Sequence, residues 1–349
     1  MFGIQGLAVM INPLNSFVAV SLAALAFSSG HVSAQNPPSV SSRYVQSALV
    51  HSVAPARARQ SLPIIMVPGH HLSSSIYLTT PDGRDGWATL FANGGYEVHV
   101  INDPSFDFSR DPEAPKAGQP PQDPNAFKPW DRDIWPRWGF GMQEGEPFPN
   151  TQFPTEAFDQ FEADYPWVST TRRDFPAAIE ALLEEVGPAI LIAHSAGGPS
   201  AVNAAMQRPD LVAGIVLVEP TGPPTSAHFP TLAGKSMLGV YGDYIALRGQ
   251  TGRKDATEAA AALFSQHGGH GEILDLVEDR GVAGNSHLMM QDRNNDFIAS
   301  EIMDWLAEHV SGKPPGRPGR GGMVGGKGKG KAKGGKGRML RSNAEEIQN

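Results

Sequence analysis

The string Ala193-His194-Ser195-Ala196-Gly197-Gly198 follows the apolar run Pro188-Ala-Ile-Leu-Ile192 and precedes a stretch of small residues with helical character. A strand that feeds directly into a helix must turn sharply, and bulky side chains two residues before or after the apex would collide. Ala193 and Gly197 are small enough. Such a turn lifts Ser195 Oγ out of the sheet and directs the Ala196 N–H towards charge developing on an attacked carbonyl. The segment therefore calls for an α/β fold in which a buried strand is backed by a helix.

The rest of the chain alternates in the same sense. Leu62-Pro-Ile-Ile-Met-Val67, Tyr96-Glu-Val-His-Val-Ile101, Ala213-Gly-Ile-Val-Leu-Val218 and Ser236-Met-Leu-Gly-Val-Tyr241 read as buried strands. Helical patterns fall near 86–93, 172–186, 255–266 and 294–310. This order predicts a mostly parallel sheet with helices on both faces. Residues 102–169 interrupt it with a Pro- and aromatic-rich insertion holding four of the six tryptophans, Trp130, Trp135, Trp138 and Trp167. A loop with that many large apolar groups is expected to lie over the strand ends as a lid and shape a pocket.

The two ends stand apart from this domain, expected over 62–311. Residues 1–34 read as an export signal, with the apolar segment Phe17–Phe27 and Val32-Ser33-Ala34 as a small-residue cleavage site, although no Lys or Arg occurs before Arg43. Residues 35–61 form an N-terminal extension. Ten of the 28 Lys and Arg fall between Lys313 and Arg341, where there is no acid, and two of the 36 acids lie beyond it. Residues 1–312 thus carry 18 basic and 34 acidic groups, a net charge of −16 that repels phosphate, so no nucleic-acid partner is expected. The Gly/Lys-rich tail, 312–349, lacks the apolar residues of a core and is expected to be disordered, with contact to anionic surfaces as its available role. The sequence contains no cysteine, which removes thiolate chemistry and disulfides.

Serine is a weak nucleophile unless a base takes its proton and a third group orients that base. His287, in Gly284-Asn-Ser-His-Leu-Met-Met290 just before the last helix, is the best-placed base among eleven histidines. Two carboxylates end strands in the right region, Glu219 after Val218 and Asp243 after Tyr241, and spacing alone leaves both open. The second oxyanion donor, beside Ala196, should come from Val67-Pro68-Gly69-His70-His71; proline has no N–H, which leaves His70 or His71. His194 is expected to support the turn. His267 and His270 have no carboxylate or cysteine at ligand spacing, so neither a metal nor an organic cofactor is expected.

Together, Pro81-Asp-Gly-Arg-Asp-Gly-Trp87, Phe158-Asp-Gln-Phe161, the Ser195 turn, Leu217-Val-Glu-Pro220 and Gly284-Asn-Ser-His-Leu-Met-Met-Gln-Asp-Arg-Asn-Asn295 resemble a subgroup of α/β-hydrolase esterases, many of them exported by microbes. The resemblance runs from about residue 62 to 310. It implies an α/β-hydrolase fold, cleavage of a small-molecule or oligomeric ester, and a triad glutamate after the sixth strand, which favours Glu219 over Asp243. The chain departs from that subgroup in reading Pro68-Gly69-His70 where His-Gly-Gly is common. A lactonase or amidase would use the same residues. A ligand-binding protein on this fold is the alternative of a different class, and a probe that acylates Ser195 separates the two.

Overall fold

Strands buried on both faces must sit inside a sheet covered by helices on each side. The computed structural model describes residues 37–129 and 134–310, and the described residues from Pro38 onward belong to one compact unit. Eight strands form the main sheet: β1 (Ser39–Val45), β2 (Ala48–Ala54), β3 (Ile64–Val67), β4 (Val98–Ile101), β5 (Ala189–His194), β6 (Val212–Val218), β7 (Ser236–Tyr241) and β8 (His270–Asp275). Their order is β1-β2-β4-β3-β5-β6-β7-β8. β1 and β2 pair antiparallel and β2 runs antiparallel to β4; every later pairing is parallel. This is the mostly parallel sheet that the alternation predicts.

The apolar strand runs divide by period two between two cores. Ile190 and Ile192 of β5, with Val216 and Val218 of β6, meet Trp87 and Phe91 of α1 (Trp87–Asn93) on one face. Leu191 and Ala193, with Ile215 and Leu217, meet Ile179 and Leu182 of α2 (Phe175–Val186) and Ala201 and Ala205 of α3 (Gly197–Gln207) on the other. Phe264 of α4 (Thr251–Gln266) joins the second core, and Ile298 and Ile302 of α5 (Asn295–His309) join the first. Asp174 caps α2 by accepting from the Ala177 N–H at 3.0 Å, and a proline in its first turn adds a residue preset for helix entry.

Three strands went unread in the sequence. β1 and β2 lie within 35–61, where the sequence predicts only an N-terminal extension; β1 is Ser-rich and mostly exposed, as an edge strand can be. β8 forms the opposite edge, and its half-exposed first residues hide the apolar signal. Within 102–169, the helices Ile134–Trp138 and Phe158–Ala163 flank a small hairpin of Gly141–Gln143 and Glu146–Pro147. Trp135, Trp138, Phe140, Phe153, Phe158 and Phe161 of this insertion are buried in the first core, with the Phe140 and Phe153 rings stacked at 3.7 Å. Trp130, residues 1–34, expected to be an export signal, and the basic tail 312–349 lie outside the described residues. No helix among the described residues is long and apolar enough to cross a membrane.

Candidate active site

Ser195 stands between the end of β5 and the start of α3 with φ at +50°, a left-handed conformation that costs a non-glycine residue about 1 kcal/mol or more. Surrounding bonds hold it there. Its N–H donates to Val218 O at 3.0 Å, while its carbonyl accepts from Gly198 N at 3.0 Å and Thr221 N at 3.1 Å. The helix start comes so close to the end of β3 that a Cβ on Gly197 would lie 2.4 Å from Pro68 O and 2.7 Å from Val67 O. Glycine at 197 thus sets how tightly the turn can close.

Glu219 follows β6, also at positive φ (+41°), and is buried. Its Oε2 accepts from His287 Nδ1 at 2.6 Å, and its Oε1 accepts from the Gly242 N–H at 3.0 Å. Asp243, the other carboxylate, turns towards the backbone: its oxygens accept from Tyr244 N at 2.6 Å and Gly284 N at 2.9 Å. The structure therefore brings Glu219 to His287 and commits Asp243 to the loop that precedes the histidine. His287 and Ser195 line one cavity of about 500 Å³, together with Ala196, His70, His71, Trp138 and Tyr165. The three candidate oxyanion residues thus share the cavity with the serine. His71 has φ at +56°, and the His70 and His71 rings lie 3.6 Å apart.

One charged partner escaped the sequence reading. Arg248 lies buried against Glu219, and its Nη2 donates to the same Oε2 that receives His287. Burial works to raise the Glu219 pKa, but the Arg248 charge and the His287 bond and charge outweigh it and hold the carboxyl at about 2. Burial also lowers the His287 pKa; the bond to Glu219 opposes this and the charges of Arg248 and Arg253 add to it. The net effect is a neutral imidazole near pH 7, with its proton on Nδ1 and Nε2 left as a base. Nothing in the local sequence marks Arg248, which lies in the irregular segment between β7 and α4.

The loop carrying His287 is held from several sides. His194, fully buried and kept neutral mainly by that burial, donates from Nε2 to His287 O at 2.9 Å, the supporting role expected of it. The His287 N–H donates to Trp138 O at 2.8 Å, tying the base to the aromatic insertion. Asp292 accepts from Ser286 N and Ser286 Oγ, each at 2.7 Å, and from Asn285 Nδ2 at 2.9 Å. Arg84 donates to the carbonyls of Gln291, Asp292 and Arg293, and Gln291 Nε2 donates to Ile76 O and Thr79 O. The block 284–295 and the segment 81–87 are thus two halves of one scaffold, which gives their residues a physical reason to occur together.

Comparison with known proteins agrees with this architecture. A family model described as alpha/beta hydrolase fold matches residues 63–303. The chain is 26% identical over 316 residues to a probable secreted lipase, phiG, of a fungus (Fungal sp. strain ATCC 74256), covering 74% of this chain and 85% of that one. Among solved structures it is similar to a novel bacterial esterase, with a TM-score of 0.65 and 26% identity over 78% of this chain and 94% of the other. With sheet order, turn and family match in agreement, the chain belongs to the alpha/beta hydrolase fold family.

Proposed function

We propose that the protein is a serine hydrolase of carboxylic esters that works through an acyl-enzyme. Ser195 Oγ attacks the ester carbonyl while His287 Nε2 takes its proton. Glu219 holds the imidazole in the required tautomer and stabilises the imidazolium. The N–H groups of Ala196 and of His70, or of His71 in its place, receive the oxyanion. Collapse of the tetrahedral intermediate expels the alcohol, which takes the proton from His287, and water then releases the acyl group by the same route reversed. No metal or organic cofactor enters these steps.

The observation that carries this reading is the 2.6 Å contact between His287 Nδ1 and Glu219 Oε2, in a cavity that also holds a serine at a strained strand-to-helix turn. The bacterial relative is an esterase and the fungal one a probable lipase, which supports esters over other acyl compounds. The apolar part of the wall, including Leu72, Trp138 and Tyr165, suits an apolar acyl or alcohol group of modest size. The secreted relative supports export of this chain through residues 1–34.

Hydrolysis of p-nitrophenyl esters from acetate to long acyl chains tests the reading. Ser195→Ala should lower kcat by about 10⁴-fold or more, and Glu219→Gln by a similar order, because a carboxamide no longer selects the tautomer. Asp243→Asn should retain activity within about tenfold, since the acid it replaces serves the loop. Equal loss in both carboxamide variants would remove Glu219 from the orienting role. Failure of every ester, together with failure of a fluorophosphonate to label Ser195, would leave the ligand-binding alternative.

A further inference from the structure

A second cluster of metal-ligating side chains lies at the far end of the sheet. His270 opens β8 and pairs with Ser236, the first residue of β7, whereas the candidate active site gathers at the opposite, C-terminal ends of the parallel strands. His270 and Glu272 stand two apart on β8 and share one face of the sheet. His309, in the last turn of α5, comes to the same face, and its ring lies parallel to that of His270 at 3.8 Å. Glu272 Oε2 is 3.0 Å from His270 Nε2 and 3.9 Å from His309 Nε2. One ligand atom from each of the three side chains falls within 4.8 Å of the others.

We propose that His270, Glu272 and His309 bind a divalent ion of the zinc class. Ligands around a tetrahedral zinc, each about 2.0–2.2 Å from the metal, stand roughly 3.3 Å apart, which the separations from Glu272 Oε2 bracket; an imidazole binds metal in its ring plane, so the two parallel rings must rotate out of their stack to share the ion. Two imidazole nitrogens with one carboxylate oxygen suit Zn²⁺ and its neighbours, while Mg²⁺ and Ca²⁺ prefer all-oxygen sets. The outer partner that metal carboxylates commonly have is already in place: Trp305 Nε1, one helical turn before His309, donates to Glu272 Oε2 at 2.9 Å. His270 and Glu272 are exposed enough to admit an ion from solvent, with water as the fourth ligand. The expectation that His270 has no carboxylate at ligand spacing does not hold, because Glu272, two residues on along the strand, turns to it, and the third ligand comes from a helix near the end of the domain. The bound ion would tie the edge strand to α5, a structural role that does not depend on the hydrolase reading.

Titration of the untagged full chain with ZnCl₂, after removal of metal by chelator, tests the site. One equivalent should bind and raise Tm by about 3–6 °C at a hundredfold excess over Kd. His270→Gln, Glu272→Gln and His309→Gln should each weaken binding at least about tenfold. Binding that is absent, or that keeps its affinity in both histidine variants, overturns the assignment. Should a variant fail to fold, Co²⁺ on the wild-type chain reads the ligand set directly. Intense visible bands of four-coordinate Co²⁺ are expected, and the weak spectrum of six-coordinate aqueous Co²⁺ would overturn the site.

Discussion

Replacing Arg248 by Met keeps the aliphatic stem and removes the charge that shares Glu219 Oε2 with His287. Both side chains of the Arg248–Glu219 pair are almost fully buried, at 1% and 3% exposure. Breaking a buried pair from one side costs about 3–5 kcal/mol. Arg248 Nε and Nη1 are themselves buried without partners among the described residues, which places the expected loss at the low end, about 3 kcal/mol. The charge also acts on the base. Two cations on one carboxylate oxygen stand about 4–5 Å apart, worth roughly 3–4 kcal/mol at an effective dielectric constant of about 20, an upper bound of nearly three pH units. Arg248 lowers the His287 pKa, so its removal raises it, and the imidazole stays protonated to higher pH. The acid limb of kcat/KM, expected in the wild type below the ordinary histidine value of 6.5, should move upward by about one to two units. Thermal unfolding and a pH–rate profile on one neutral ester measure both effects. An unmoved limb together with a stability loss under about 1 kcal/mol would refute the coupling of Arg248 to the Glu219–His287 pair.

Three other perturbations probe the same geometry. Burial raises the Asp292 pKa to about 7, so the folded state holds its proton more tightly than the unfolded chain; the stabilisation is complete below pH 4 and fades, by up to about 4 kcal/mol, as pH rises through 7. Asp292→Asn, which removes the titrating group, should flatten that slope in denaturant titrations between pH 4 and 8; an unchanged slope would assign it to another group. Gly197→Ala places a Cβ 2.4 Å from Pro68 O, so a destabilisation of about 3 kcal/mol or more and loss of ester turnover are expected, read by urea unfolding and initial rates. Phe153→Ala empties a stacked, fully buried site in the insertion and should cost about 3–5 kcal/mol, with a small loss counting against the insertion as part of the core.

The central strands were legible because burial on both faces writes itself as unbroken apolar runs, as in Ile190-Leu-Ile192 and Ile215-Val-Leu-Val218. The Ser195 turn was legible because its small residues answer a local steric demand. Strands β1 and β8 were not, since edge positions tolerate Ser, Gly and His and blur the pattern, and β2, though interior and mostly buried, carries His51 and Ser52 within its apolar run. Glu219 and Asp243 each end a strand, so local sequence could not separate them; the difference lies in which side chain turns inward, and only the resemblance to known esterases favoured Glu219. Arg248 and the His270–Glu272–His309 cluster were invisible for a further reason. Glu219 for Arg248, and His309 for the His270–Glu272 pair, come from distant segments, and no periodicity records a contact made by the tertiary fold.

Covalent chemistry at Ser195 is the central claim, and rapid mixing with p-nitrophenyl butyrate followed by acid quench and mass analysis tests it most directly. A burst of p-nitrophenol near one equivalent, with a butyryl adduct confined to the peptide carrying Ser195 and absent in Ser195→Ala, is the predicted result. Turnover that persists in Ser195→Ala, or an adduct on another residue, would contradict it.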